Sequence, residues 1–173
     1  MSHVVKLYES LSLIETERCI MKTIQEVDVS DLKSLFVNHE VRKYLGGVRK
    51  EELISSVIDE MLTSTDNSYY WVVREKQTGS FIGLVSLDPH HDGVNMEVSY
   101  QFLPEWWGKG YATEVVQVII DSALNILNLG TIVAETQTAN EPSCRLLEKL
   151  GMKLEKIVYR FGAEQAIYLI KST

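Results

Sequence analysis

The spacing of apolar residues divides the chain into strand and helix segments. Alternation and short apolar runs predict strands at Cys19–Ile24, Tyr70–Glu75, Phe81–Leu87, Val94–Phe102, Thr131–Thr136, Leu154–Phe161 and Ala166–Lys171. Helical spacing predicts helices at Ser30–Asn38, Glu51–Leu62, Tyr111–Asn128 and Glu141–Leu150. Residues 1–17 show no clear pattern. This order predicts an α/β (α+β) fold, a sheet with helices on both faces.

Polar residues and glycines mark the ends of the predicted helices. Ser30 should cap the first helix and Asn140 the last, because their side-chain oxygens can accept hydrogen bonds from free backbone N–H groups. Gly130 and Gly151 are predicted to end the two helices that precede them, since glycine readily adopts the left-handed backbone found at helix ends.

The strand at 94–102 has one apolar and one polar face. The apolar face carries Val94, Met96, Val98, Tyr100 and Phe102, and the polar face carries Asn95, Glu97, Ser99 and Gln101. Pro104 ends the strand, and a turn with two glycines leads directly into the next helix. Glu97 is therefore either a solvated side chain or a candidate general base.

The segment Trp107-Gly-Lys-Gly-Tyr-Ala112 is the main candidate for ligand binding. The first turn of a helix has N–H groups without intrahelical partners, and these donors together with the helix dipole favour an anion. Gly108 and Gly110 let the backbone approach that anion closely, and Lys109 adds positive charge. A simple tight turn is an equal alternative on the glycines alone. The residue after Lys109 excludes a Walker loop, and Thr113 replaces the third glycine of a dinucleotide fingerprint.

Composition and charge narrow the class of partner. The 173 residues are 45% hydrophobic, which suits one domain with a sizeable core. A net charge of −7 argues against general nucleic-acid binding and favours cationic partners such as amines. The same charge would repel an anionic coenzyme, so a phosphate site must supply its own positive potential, as the glycine turn does.

The apolar stretches, the N-terminus and the cysteines bear on the cellular compartment and on metal binding. No stretch reaches the roughly 18 to 20 apolar residues of a membrane helix, and the N-terminus lacks a signal-peptide pattern. The two cysteines, Cys19 and Cys144, fit a reducing compartment. We therefore expect a cytoplasmic protein that does not associate with membranes. No clustered Cys/His spacing indicates a metal, so none is expected.

Several motifs, taken in order, resemble the GNAT superfamily and its RimJ/RimL-like subgroup. Trp107-Gly-Lys-Gly-Tyr-Ala112 resembles the Gln/Arg-x-x-Gly-x-Gly/Ala signature, with tryptophan at the first position. Thr16-Glu-Arg18 and Glu97-Val-Ser-Tyr100 resemble the opening and a strand of the subgroup. Asn140-Glu-Pro-Ser143 and Leu147-Glu-Lys-Leu-Gly-Met152 resemble its Asn-x-x-Ser…Glu-Lys-Leu-Gly-Phe helix. The resemblance covers about residues 14–170 and implies a single domain over residues 1–173, with a mixed, mostly antiparallel central sheet.

The same resemblance implies acetyl transfer from acetyl-CoA to a primary amine. It places the acetyl carbonyl near the backbone of Phe102 and Leu103. It places the coenzyme pyrophosphate on the backbone of the following turn and helix start, formed by Gly108, Lys109, Gly110, Tyr111, Ala112 and Thr113. Asn140 and Ser143 are expected to contact the coenzyme as well.

Two residues are candidate catalytic groups. Glu97 would accept the proton of the amine directly or through water; its distance along the strand from Phe102, about 16 Å, favours a relay. Many GNAT enzymes carry a tyrosine as general acid at the position of Leu147. Its absence leaves Ser143, water or an unprotonated thiolate to complete the reaction.

The acceptor remains open at this stage. The RimJ/RimL-like motifs suggest a protein N-terminal α-amine, such as that of a ribosomal protein, while polyamines, aminoglycosides and amino-acid-type molecules are alternatives. A non-catalytic acyl-CoA-binding module and a nicotinamide oxidoreductase are the rival classes. Edge strands near the C-terminus could pair two copies into a homodimer.

Overall fold

Eight strands form one mixed sheet in the computed structural model, which describes residues 10–64 and 67–173. The strands are β1 (Leu13–Glu15), β2 (Cys19–Thr23), β3 (Tyr69–Glu75), β4 (Phe81–Pro89), β5 (Met96–Phe102), β6 (Thr131–Gln137), β7 (Lys153–Arg160) and β8 (Ala163–Lys171). Their order in the sheet is β1-β2-β3-β4-β5-β6-β8-β7. All neighbouring strands are antiparallel except β5 and β6.

Helices cover both faces of this sheet, as the sequence pattern predicts. They are α1 (Val29–Phe36), α2 (His39–Arg42), α3 (Glu51–Thr63), α4 (Tyr111–Asn125) and α5 (Glu141–Lys149). The first three share one apolar cluster with residues of β3 and β4, including Leu35, Ile58 and Leu84. Helices α4 and α5 belong to a second cluster, which includes Ile119 and Leu147 and the inward side chains of β5 and β6. No helix among the described residues is long and apolar enough to span a membrane.

Two of the four predicted helix-end signals are confirmed, and two are wrong. Asn140 accepts a hydrogen bond from the Ser143 N–H and caps α5, and Gly151 follows that helix at a φ of +88°. Ser30 lies inside α1 and does not cap it, because the chain enters that helix through a 3-10 turn at Glu26–Asp28. Helix α4 ends at Asn125, and Asn128 rather than Gly130 adopts the left-handed conformation after it.

The β5–β6 pair is the feature of the sheet that creates the site. The two parallel strands are paired only at Met96–Ile132 and Glu97–Val133. Beyond this point each strand keeps its outer antiparallel partner, since β5 stays paired with β4 as far as Phe102 and β6 stays paired with β8. The inner edges of β5 and β6 therefore separate, and their backbone groups face a wedge-shaped opening instead of each other.

Candidate active site

The opening between β5 and β6 widens into a cleft of about 740 Å³. One wall is the end of β5 with the glycine turn and the start of α4, and the other is the end of β6 with the start of α5. Residues of α2 and of the loop after it line a third side of the cleft, next to the apolar cluster that contains Leu35 and Ile58. The predicted site residues that line it are Phe102, Gly108, Gly110, Tyr111, Ala112, Thr113, Asn140 and Ser143.

The glycine turn has the backbone geometry that an anion site needs. Gly108 and Gly110 have φ angles of +70° and +84°, in the left-handed region that favours glycine. Gly110 occupies the N-cap of α4 and has no side chain to bond the free N–H groups of the first turn. Those donors, from residues that line the cleft, are therefore available to a ligand.

The side chain of Lys109 lies beside the turn and not in the cleft. Its Nζ donates to the carbonyl of Glu105 at 2.8 Å and lies 5.8 Å from the centroid of the Trp106 ring. Lys109 is not among the residues that line the cleft. Its charge acts on the site from outside, and the backbone of the turn supplies the donors.

An ion pair that the sequence pattern did not predict holds the turn in place. Glu114, in the first turn of α4, accepts hydrogen bonds from Thr16 Oγ1 at 2.5 Å and from Arg18 Nε at 2.8 Å. Arg18 also donates to the carbonyl of Lys109 at 3.0 Å, and its guanidinium lies 4.0 Å from the centroid of the Tyr111 ring. The only sequence signal for this support was the Thr16-Glu-Arg18 motif, whose partner lies 96 residues away.

Replacing Glu114 with glutamine should loosen the turn and destabilise the fold by about 1–2 kcal/mol, because it leaves Arg18 without its carboxylate. Burial alone would raise the pKa of Glu114, but hydrogen bonds from Thr16 and Arg18 outweigh it and lower that pKa. The stabilisation is therefore present above the ordinary pKa of a glutamate and is lost as the pH falls below it.

Urea unfolding at neutral and acidic pH checks this expectation. Glu15→Gln is the matched control, since Glu15 is 54% exposed in its pair with Lys76 and should change stability little. Equal losses in the two variants, or an unchanged loss at acidic pH, would contradict a supporting role for Glu114.

At the end of β5, Phe102 faces the cleft and Leu103 does not. The N–H of Leu103 donates to the carbonyl of Ile82 at 2.9 Å and so is already engaged with β4. Backbone groups alternate in direction along an antiparallel strand, so the N–H and carbonyl of Phe102 point the other way, towards the cleft. The indole of Trp107 donates to that carbonyl at 2.8 Å, which ties the glycine turn to the end of β5. Leu103 is not among the lining residues.

The Phe102 position also depends on Gly83 of β4. A Cβ atom at Gly83 would lie 2.1 Å from the carbonyl oxygen of Gln101 and 2.4 Å from the Phe102 ring. Only glycine therefore fits opposite Phe102 without moving the strand that forms one wall of the cleft.

Glu97 lies at the apex of the wedge, where β5 and β6 still pair, and it does not itself line the cleft. Its burial, together with the negative charges of Asp88 and Glu135, raises its pKa to about 7 against an opposing effect of His90. Glu135, which does line the cleft, is bonded to Arg160 and to His90 Nε2 at 2.8 Å. Any contact between Glu97 and a substrate would therefore run through water or a neighbouring group.

The start of α5 brings two hydroxyl groups together. Tyr100 of β5 and Ser143 of α5 are hydrogen-bonded through their side-chain oxygens at 2.7 Å, and both line the cleft. The sequence pattern placed Tyr100 on the apolar face of its strand and gave it no chemical role. One turn further along α5, Leu147 is 1% exposed and belongs to the core.

Comparison with known proteins decides the family. A family model described as an acetyltransferase (GNAT) domain matches residues 18–153. The chain belongs to this GNAT acetyltransferase family. A relative from Bacillus subtilis is YoaA, described as an uncharacterized N-acetyltransferase. The two sequences are 29% identical over 157 residues, and the alignment covers 86% of this chain and 87% of YoaA.

Solved structures of other GNAT proteins share the fold. A spermidine N-acetyltransferase from Vibrio cholerae, in complex with CoA and spermine, has a TM-score of 0.76 at 20% identity and covers 89% of this chain and 95% of its own. A ribosomal-protein-S5-alanine acetyltransferase from Vibrio fischeri also has a TM-score of 0.76 at 20% identity, over 92% of this chain and 96% of its own. At this identity the likeness establishes the GNAT fold, an eight-stranded, mostly antiparallel sheet with helices, and does not establish the acceptor.

The cleft of this GNAT chain fits acetyl-CoA on its own geometry. A pyrophosphate needs several N–H donors and an approach free of side chains, and the turn at Gly108 and Gly110 provides both. The extended arm of the coenzyme needs backbone groups that are not already hydrogen-bonded within the sheet, and the separated edges of β5 and β6 provide them.

Proposed function

We propose that this chain is an acetyl-CoA-dependent N-acetyltransferase that acetylates a primary amine, with a protein N-terminal α-amine as the preferred acceptor. The observation that carries the proposal is the separation of β5 from β6 immediately after Glu97. It creates one cleft that has an anion-binding turn along one wall and a half-buried carboxylate of raised pKa at its apex.

The backbone of the turn performs the binding role in this proposal. The N–H groups of residues 108–112, with Thr113 beside them, hold the pyrophosphate of acetyl-CoA. Asn140 contacts the coenzyme arm while its side chain caps α5. The Phe102 N–H, which points away from β4, polarises the acetyl carbonyl and stabilises the negative charge that develops on its oxygen.

Glu97 and Ser143 perform the chemical roles. Glu97 accepts a proton from the ammonium group through water, which leaves the nitrogen lone pair free to attack. A carbon–nitrogen bond then forms to the acetyl carbon, the carbon–sulfur bond breaks, and the sulfur keeps the electron pair. Ser143 donates a hydrogen bond to that sulfur. The nitrogen loses a second proton when the amide forms, and the thiolate gains one proton to become the free thiol of CoA, so the two balance.

The pKa of Glu97 favours an α-amine as acceptor. A base with a pKa of about 7 lies roughly one unit below an α-ammonium group, whose pKa is about 7.7–8.0. It lies more than three units below an alkyl ammonium of pKa about 10.4, such as those of polyamines and lysine, so that proton transfer is much less favourable. The RimJ/RimL-like motifs favour the same acceptor, a protein N-terminal α-amine.

The cytoplasmic location and the homodimer that the sequence suggests remain predictions.

Incubation of the protein with acetyl-CoA and a panel of amines tests the proposal by mass spectrometry. The panel contains peptides with free and with blocked N-termini, ribosomal proteins, spermidine and an aminoglycoside. We expect one acetyl group on free N-termini and none on the blocked peptide. Acetylation of spermidine alone would overturn the acceptor class and leave the enzyme class standing.

A non-catalytic acyl-CoA-binding module is the second candidate, and the leucine at position 147 is the observation that favours it. The two candidates differ in one result. A binding module would bind acetyl-CoA in calorimetry yet release no thiol with any amine of the panel, whereas a catalyst would release thiol in step with acetylated product.

A further inference from the structure

The hydrogen bond between Tyr100 and Ser143 joins the two walls of the cleft. Tyr100 belongs to β5 and Ser143 to the first turn of α5, and their side-chain oxygens lie 2.7 Å apart. The aromatic ring of Tyr100 stacks on that of Phe102, with centroids 6.1 Å apart, so the hydroxyl is presented by a packed side chain. This hydroxyl pair lies beside the part of α5 where Leu147 replaces the tyrosine expected from the family resemblance.

The direction of this hydrogen bond follows from the chemistry of the two hydroxyl groups. Desolvation raises the pKa of Tyr100 to about 12, so its hydroxyl keeps its hydrogen at all ordinary pH values. Within the part of the chain that the structure describes, Ser143 Oγ is the hydrogen-bond partner shown for that hydroxyl. A phenol is far more acidic than an alkyl alcohol and is the stronger hydrogen-bond donor, so Tyr100 donates and Ser143 accepts.

This direction leaves the hydrogen of Ser143 free for another acceptor. A serine hydroxyl has one hydrogen and two lone pairs, and Tyr100 occupies one of the lone pairs. The backbone N–H of Ser143 is itself bound to the side chain of Asn140. The backbone of Ser143 is thus held by Asn140 and its hydroxyl oxygen by Tyr100, while the hydroxyl hydrogen can point into the cleft.

We propose that Tyr100 is a positioning residue that turns the hydroxyl hydrogen of Ser143 towards the sulfur of the coenzyme. The pair thereby replaces, from strand β5, the donor that is absent at Leu147. This inference rests on the proposed function, because it assumes that the coenzyme arm lies in the cleft. Neither hydroxyl gains or loses a proton in the reaction, since both only donate hydrogen bonds while the carbon–sulfur bond breaks.

Titration of the thiol of bound CoA, followed by the ultraviolet absorbance of its thiolate, tests this inference without any acceptor. A hydrogen bond from Ser143 favours the thiolate, so Ser143→Ala should raise the pKa of the bound thiol by about one unit, tenfold in the ionisation equilibrium. Tyr100→Phe keeps the ring that packs on Phe102 and should give a rise of similar size. In the double variant the pKa of the bound thiol should rise no further than in Ser143→Ala, because the two residues act as one unit.

Tyr168→Phe is the matched control. Tyr168 is a buried tyrosine on the same side of the sheet, whose hydroxyl donates to Glu148 at 3.0 Å and does not line the cleft. Its loss should leave the pKa of the bound thiol unchanged.

The outcomes separate the inference from the proposed function. Failure of wild-type protein to bind CoA in calorimetry would remove the proposed function itself. CoA binding with the same thiol pKa in wild type and Tyr100→Phe would overturn only the role of Tyr100. A further rise in the double variant beyond Ser143→Ala would show that Tyr100 contacts the sulfur directly and would also overturn the positioning role.

Discussion

Replacing Gly108 with alanine should weaken CoA binding at least about tenfold while the protein remains folded. Gly108 has a φ of +70°, and a Cβ atom there meets no other atom within 4 Å. The variant therefore has room for its methyl group but carries a strain of about 1–2 kcal/mol that favours a different backbone conformation. Any such change redirects the N–H groups of the turn, on which the pyrophosphate depends.

Gly162 offers a closely matched control for this experiment. It has a φ of +74° and equally open surroundings, but it lies in the turn between β7 and β8. Gly162→Ala should lose about as much stability as Gly108→Ala in urea unfolding and retain wild-type CoA affinity in calorimetry. A loss of CoA affinity in both variants, or in neither, would mean that the Gly108 turn does not hold the coenzyme.

Replacing Glu97 with glutamine should lower kcat by about 100- to 10,000-fold, the usual contribution of a general base. In wild type the carboxylate must be ionised to act, so activity should rise as the pH increases through about 7. The glutamine variant should lose this acidic limb while its affinity for CoA stays unchanged. Steady-state rates from pH 5 to 9, with any amine that the panel identifies, measure both effects.

The free energy of unfolding should also depend on pH through the carboxyl group of Glu97. The pKa of Glu97 is raised on folding from an ordinary 4.5 to about 7, so its full stabilising contribution is present below the ordinary value. That contribution is lost as the pH rises from 4.5 to about 7, by an amount on the order of 3 kcal/mol. Glu97→Gln should remove this dependence and be relatively more stable than wild type above pH 7.

Asp88→Asn provides the control for both measurements. Asp88 lies opposite Glu97 on β4, and its negative charge helps to raise the pKa of Glu97. Its removal should shift the acidic limb to lower pH without abolishing activity. A limb that persists near pH 7 in Glu97→Gln would assign it to another group and would contradict the role of Glu97.

Local patterns predicted those features that depend on neighbouring residues. Alternation separated the core side chains Val98 and Phe102 from Glu97, because successive side chains of a strand point to opposite faces of the sheet. The predicted start of this strand was wrong, since it begins at Met96 and Val94 is 84% exposed in the turn before it. The Asn140 cap was likewise predictable, since a cap and its N–H partner lie within one turn. The glycine turn was recognisable because strand, glycines and helix follow one another directly.

Contacts between distant segments could not be predicted in this way. Arg18 meets Glu114 across 96 residues, and Tyr100 meets Ser143 across 43 residues. Both pairings depend on the order of strands in the sheet, which apolar spacing does not encode. Ser30 was misplaced for a related reason, since the 3-10 turn before α1 starts that helix earlier than the polar residue indicated.

Thermal unfolding with and without acetyl-CoA tests the central claim most directly. A ligand that binds only the native state raises stability by about 2.7 kcal/mol when it is present at a hundredfold excess over its dissociation constant. We predict a clear rise in the unfolding temperature with acetyl-CoA and no rise with NADH at the same concentration. An unchanged unfolding temperature with acetyl-CoA, or an equal rise with NADH, would contradict the assignment of this cleft to an acetyl-CoA-dependent transferase.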